Sequence, residues 1–183
     1  MFGEVSSSDR WSLAEDDGED PTAPERPVAY LIRTDGAARG NPGPASLGAA
    51  LYDLSRPDAR DHRAAPDASI SEYLGIQTNN VAEYTGTLRA LELARELGAS
   101  EVHLLLDSKL IVEQLAGRWR VKDAKLIPLW SASRGVLNGF SRWTAAHVPR
   151  AQNSVADALA NAAIDRAQAG GPALVVRRPS DPR

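Results

Sequence analysis

Four carboxylates, Asp35, Glu83, Asp107 and Asp157, stand at positions from which one α/β fold could gather them. Asp35 interrupts a short apolar, partly β-branched run, and Gly36, Ala37 and Ala38 keep the space beside it open. A carboxylate at the end of a buried strand is costly unless it is paired, hydrogen-bonded or bound to a metal. Asp107 directly follows a second such run, EVHLLL (101–106). Glu83 falls in the first turn of a helix, where the N-terminal dipole favours negative charge, and Asp157 falls near the start of an alanine-rich last helix. Taken singly, each has an ordinary reading: Asp35 as a solvent-facing turn residue, Glu83 as a generic first-turn glutamate. Crowded together, four unpaired carboxylates repel one another and need cations. With no cysteine and only three histidines, the donors are hard oxygens, which suit Mg²⁺ or Mn²⁺ rather than structural zinc. Two such ions about 4 Å apart activate a water and stabilise the leaving oxygen in phosphodiester hydrolysis.

The elements that must position these groups follow in order. Residues 28–34 and 46–54 read as strands joined by the rigid turn sequence RGNPGP. A polar loop, 55–67, leads to a third strand, 68–76, with Ile70, Glu72 and Leu74 on one face. Thr78, Asn79 and Asn80 supply hydroxyl and amide groups at the start of a helix running to about Leu97. Its stripe is Val81, Tyr84, Leu88, Leu91 and Leu97, and Gly98 ends it. After strand 101–106 come a short helix, 108–115, and the basic stretch GRWRVKDAK, which reads equally as a phosphate-contacting surface or a solvated turn. A helix from Asp123 to about Leu137 is expected to turn Ile127, Trp130 and Leu137 inward. Strand 140–147 and a helix from Asn153 or Ser154 to about Ala167 complete the order. A strand, a long helix and another strand imply a crossover between parallel neighbours. That sets Asp35 and Asp107 side by side at the carboxyl ends of adjacent strands, where open α/β sheets place their sites.

Charge is unevenly placed. Residues 1–27 hold eight acidic and two basic side chains, net −6; residues 28–183 hold sixteen and nineteen, net +3. The first stretch, rich in acidic, serine and proline residues without an apolar period, is expected to be a disordered acidic tail. It lacks a basic flank followed by a hydrophobic core, so no export signal is expected. No apolar run is long enough to span a bilayer, and no membrane association is expected. Absence of cysteine suits a reducing compartment, and a cytoplasmic location is expected. No feature demands an oligomer, so a monomer is expected.

Four stretches, TDGAARGNPGP (34–44), TNNVAEYTG (78–86), LLLDS (104–108) and HVPRAQNSVADALAN (147–161), occur in the order and spacing of ribonuclease HI. Over about residues 28–167 the chain resembles the prokaryotic form of that family. The resemblance implies an α/β, ribonuclease H-like fold: a five-stranded mixed sheet, three strands antiparallel and then parallel ones, with helices on both faces. Residues 28–167 would be the catalytic domain and 168–183 a flexible C-terminal tail. It implies an endonuclease that cuts the RNA strand of RNA–DNA hybrids with two divalent ions, Mg²⁺ or Mn²⁺, leaving 5′-phosphate and 3′-hydroxyl ends.

By the same resemblance, Asp35, Glu83, Asp107 and Asp157 are the metal ligands. Asp35 and Asp107 bridge or directly hold the ions, Glu83 serves the water side and Asp157 the other ion. Gly36, Asn41, Asn79 and Asn80 face the minor groove and its 2′-hydroxyls, which distinguish RNA from DNA. Thr78 corresponds to a DNA-strand phosphate contact. His147 falls on a loop histidine that assists proton movement or product release. The surrounding VPRAQN differs from the best-known bacterial loop, leaving Arg150 as the alternative residue to reach the leaving phosphate. Lys109 replaces a common glutamine, which exchanges one expected minor-groove contact for an expected phosphate contact, and the separate basic handle helix is missing. These departures extend the expected substrates to double-stranded RNA or RNA–DNA junctions. A related 3′–5′ exonuclease is disfavoured because the DxE pattern fails at Ala37. A non-catalytic hybrid-binding module is disfavoured because a binder gains nothing from four negative charges near phosphate.

Overall fold

The computed structural model describes residues 26–181, so the expected disordered tail at 1–27 lies almost entirely outside the described residues. The chain runs β1 (Ala29–Ala38), β2 (Gly43–Asp53), β3 (Ala68–Gln77), α1 (Asn79–Glu96), β4 (Glu101–Leu106), α2 (Lys109–Leu115), α3 (Ile127–Leu137), β5 (Arg142–His147), a 3₁₀ turn (Arg150–Gln152), α4 (Ser154–Gln168) and β6 (Leu174–Arg177). One sheet carries the strands in the order β5-β4-β1-β2-β3-β6. β1 pairs parallel with β4, and β4 with β5. β1, β2, β3 and β6 pair antiparallel in turn.

Strand alternation divides the core between two faces. Ile32, Leu47, Leu51, Val102 and Leu104 pack with Tyr84 and Leu91 of α1, Ile111 and Leu115 of α2, and Leu137 of α3. The residues between them, Leu31, Ala50 and Tyr52, pack on the other face with Val155 and Leu159 of α4 and with Ala59 of the 54–67 loop. The α4 side is packed unusually close. A Cβ on Gly48 would sit 2.0 Å from the Ala156 carbonyl oxygen and 2.6 Å from the Ala160 nitrogen. Ser46 and Ser71 donate from the sheet to the carbonyls of Ala160 (2.5 Å) and Leu159 (2.7 Å). Ala156, Ala160 and Ala163, all fully buried, let the helix come that near.

The sheet has six strands where five were expected, and the C-terminal segment is not wholly a loose tail. Leu174–Val176 and Arg177 pair with Glu72–Ser69 along the outer edge of β3. Arg166 fastens the turn that leads there, donating to Pro172 O (2.6 Å) and Ser71 O (2.8 Å). An open strand edge presents unpaired N–H and C=O groups, and this short strand covers part of it. Other boundaries move as well. β1 continues to Ala38, so Asp35 lies inside the β1–β2 ladder, opposite Gly48, rather than at a strand end. The β1–β4 ladder does stop one residue before it, at Thr34–Leu106. α3 begins at Ile127 rather than Asp123, with a proline in its first turn, and Leu126 takes the buried position while Ile127 is exposed.

Candidate active site

The four carboxylates converge on one cleft of about 430 Å³. Asp35 enters it from β1, just beyond the last rung shared with β4, and Asp107 follows β4 directly. Parallel pairing therefore puts them side by side, as the crossover required. Glu83 comes from α1. It is the fifth residue of that helix, in the second turn rather than the first, and so lies beyond the strongest influence of the N-terminus. Its position depends on Gly36: a Cβ there would fall 2.4 Å from the Glu83 nitrogen, so only glycine lets α1 lie this close to β1. Asp157 occupies the first turn of α4. Asn153, buried immediately before that helix, donates to Thr34 O at 2.8 Å, and its own carbonyl accepts from Asp157 N at 3.1 Å. One short path of hydrogen bonds thus sets the start of α4 against the residue preceding Asp35.

The electrostatics are those of an acidic cluster with one loosely paired cation, Arg150, at its edge. Asp35 is 5% exposed, and its Oδ2 has no hydrogen-bond partner among the described residues. Burial, followed by the nearby charges of Asp107, Asp157 and Glu83, pushes its pKa up to about 8. Burial likewise raises Glu83, and Asp107 adds to the rise; hydrogen bonds from Ser108 and Asn79 work against it. The Asn79 amide reaches Glu83 Oε1 at 2.9 Å, one helical turn away. Asp35, Glu83 and Asp107 each offer an oxygen, and these lie within 4.8 Å of one another. An all-oxygen donor set with an orphaned buried oxygen fits a hard divalent cation.

The other predicted residues divide into groups. Arg150 lines the cleft, and its guanidinium lies 3.4 Å from Asp157 Oδ1. His147 does not line it: it ends β5, and its Nε2 lies 3.2 Å from the Asp107 carbonyl oxygen. Asn79 lines the cleft, whereas Thr78 caps α1 by accepting from Val81 N at 3.3 Å. Asn41 accepts from Asn79 N at 3.2 Å, tying the RGNPGP loop to the start of α1, and Asn80 is exposed beside it. Lys109 begins α2 outside the cleft, with its ammonium 6.0 Å from the Trp119 ring centre. Two cleft residues carry no expectation from the sequence: Asn161, which donates to Asp157 O at 3.0 Å, and Arg39, which lines the far end. Outside the cleft lining, a hydrogen bond from Ser108 works against the rise at Glu83. Asn161 had a legible signal, its i+4 spacing from Asp157. Arg39 had none beyond its place in a turn.

A family profile described as "Reverse transcriptase-like" matches residues 33–163. Ribonuclease HI of Halobacterium salinarum is 41% identical over 144 residues, 79% of this chain and 68% of that protein. The solved N-terminal RNase H domain of a Mycobacterium tuberculosis protein is 41% identical, covering 79% of this chain and 99% of that one, with a TM-score of 0.70. LC11-RNase H1, solved in complex with an RNA/DNA hybrid, is 36% identical over 76% of this chain and 99% of its own, with a TM-score of 0.68. The chain spans only 36% of the length of the mycobacterial relatives it matches at 43% identity. Among the described residues, no helix is long and apolar enough to cross a membrane.

Proposed function

Because the chain belongs to the ribonuclease H family, we propose that it hydrolyses the RNA strand of RNA–DNA hybrids at the acidic cleft, leaving 5′-phosphate and 3′-hydroxyl ends. The observation that carries this reading is geometric: Asp35, Glu83 and Asp107 each bring an oxygen within 4.8 Å of the others, and the buried Oδ2 of Asp35 has no hydrogen-bond partner among the described residues. Such a group destabilises a protein that never binds a cation there. Asp35 and Asp107 would hold both of two Mg²⁺ or Mn²⁺ ions, Glu83 one and Asp157 the other. When bound, the ions supply an activated water and charge stabilisation for the leaving oxygen.

The chain's own residues do the rest. Asn79 holds the Glu83 carboxylate in place. Arg150, 81% exposed and only loosely paired, is free to leave Asp157 for a phosphate oxygen near the cut. His147 bonds the Asp107 carbonyl and steadies that strand end, so we assign it positioning before proton transfer. Gly36, Asn41, Asn79 and Asn80 border the path of the minor groove. Thr78 and Lys109 flank it toward the DNA strand, with Trp119 beside Lys109 as a stacking surface. All proposed ligands come from one chain, which supports action as a monomer, and the cysteine-free composition suits the cytoplasm.

The test is cleavage of end-labelled RNA–DNA, RNA–RNA and DNA–DNA duplexes with Mg²⁺, Mn²⁺ or EDTA. Metal-dependent internal cuts in the RNA of the hybrid are expected. Tight hybrid binding without any product would replace this reading with a non-catalytic binding module. Cuts in RNA–RNA as well would widen the substrate class to any duplex presenting 2′-hydroxyls.

A further inference from the structure

The cleft extends past its carboxylates. One wall follows β1 outward from Asp35 through Ala37 and Ala38 to Arg39. A strand rises roughly 3.3 Å per residue, which places the Arg39 Cα about 13 Å from that of Asp35. α4 measures the same span independently. Asp157 lies in its first turn beside Asp35, and Asp165, eight residues later, lies about 12 Å along the helix at 1.5 Å per residue. There Arg39 Nη2 donates to Asp165 Oδ1 at 2.6 Å and Nη1 to Gln168 Oε1 at 3.2 Å. Helix and strand therefore run together from the carboxylates to this guanidinium.

The base of Arg39 is fixed and its tip is not. Its backbone N–H donates to Pro44 O at 2.9 Å. The turn closes so tightly that a Cβ on Gly43 would fall 2.2 Å from the Arg39 carbonyl oxygen. The side chain is 42% exposed and that of Asp165 65% exposed. An ion pair this open to water contributes little to stability, so a phosphate can displace the carboxylate readily. The two Nη atoms of Arg39 are split between Asp165 and the neutral Gln168, so no bidentate ion pair opposes exchange for a phosphate, which can accept two parallel N–H donors.

We infer that Arg39 grips a backbone phosphate of the hybrid beyond the cleaved bond, and that Asp165 and Gln168 park its guanidinium on α4 when no nucleic acid is bound. This rests on the hybrid-nuclease reading above and adds a contact to it. The contact lengthens the substrate footprint and supplies positive charge where, among the described residues, no helix separates α2 from α3.

The experiment is a fluorescence-anisotropy titration of end-labelled RNA–DNA hybrid in EDTA over a range of KCl concentrations, using wild type, Arg39→Ala, Asp165→Asn and the double variant, followed by steady-state cleavage with Mg²⁺. Arg39→Ala is expected to weaken binding about three- to tenfold at low salt and to make the salt slope shallower by about 0.7–0.9. It should raise KM with kcat held within about twofold. Asp165→Asn should tighten binding about twofold, and only where Arg39 is present. Unchanged affinity and slope in Arg39→Ala would overturn the inference. Equal tightening by Asp165→Asn with and without Arg39 would overturn the parking role. Wild type that binds the hybrid but does not cut it would remove the nuclease reading while leaving the Arg39 titration intact. Wild type that does not bind the hybrid would remove both.

Discussion

Two groups of aspartates in this protein have opposite surroundings. In the loop after β2, Arg56 bonds both Asp58 (2.9 Å) and Asp67 (2.8 Å), and Asp67 also accepts from Asp53 N at 2.8 Å. Hydrogen bonding to Arg56 holds Asp58 below the usual carboxylate range, and those same bonds raise Arg56. At the cleft, Asp35 has no such partner and burial moves it the other way, up to about 8. The fold clamps carboxylates with a two-sided arginine where they hold a loop, and at the cleft it leaves a buried oxygen of Asp35 without a partner and Asp157 only loosely paired with Arg150. The difference separates residues that stabilise the chain from residues whose uncompensated charge is available to a cation.

The sharpest break of that contrast is Asp107→Asn. With Mg²⁺, hybrid cleavage is expected to fall by about 10²–10³-fold or more while circular dichroism stays that of the folded protein. Retained activity would sink the metal-site assignment. Next in size is the effect of pH on the metal-free protein. Between about pH 4 and pH 8 the folded chain keeps a proton on Asp35 that the unfolded chain has lost, so the Asp35 contribution to stability falls as pH rises through that window. Asp35→Asn should flatten this slope and gain on the order of a few kcal/mol at the upper end, read from urea melts in EDTA. A stability difference between wild type and Asp35→Asn that does not change from pH 4 to pH 8 would contradict the burial-raised pKa of Asp35. Adding Mg²⁺ or Mn²⁺ at pH 7.5 should raise the melting temperature and release protons, measured calorimetrically in buffers of different ionisation enthalpy.

Smaller effects distinguish the two candidates near the leaving phosphate. Arg150→Ala should lower kcat about tenfold, and His147→Ala less than that, because only Arg150 lines the cleft. The reverse order would return proton movement to His147. Smallest of all, Asp67→Asn should cost about 1 kcal/mol of stability and leave kcat unchanged, since its bonds hold only the loop.

Most of the architecture was legible in the chain because it rests on local signals. Apolar runs of strand length, the Thr78 cap, the Gly98 stop and the strand–helix–strand spacing that makes β1 and β4 parallel neighbours are all short-range features. The four carboxylates were legible as candidates because each lies close to the start or end of a recognisable element. β6 was not legible. Four residues between glycines and prolines carry no period, and their strand character comes from pairing with β3, about a hundred residues earlier. The second-turn position of Glu83 and the strand-interior position of Asp35 were misjudged because they depend on where ladders and helix ends fall, which neighbouring elements decide.

The sequence by itself determined which groups could do chemistry, because residue type, spacing and the absence of cysteine restrict the donors to hard oxygens. Only the tertiary structure decided that Asp35 is buried with one oxygen unpartnered, that Arg150 rather than His147 lines the cleft, and that Arg39 stands at its far end against α4. Those outcomes depend on close approaches between distant segments, such as Gly36 against Glu83 and Gly48 against Ala156. A backbone approach of that kind is set by the packing of the whole sheet and its helices, and no local window of residues contains it.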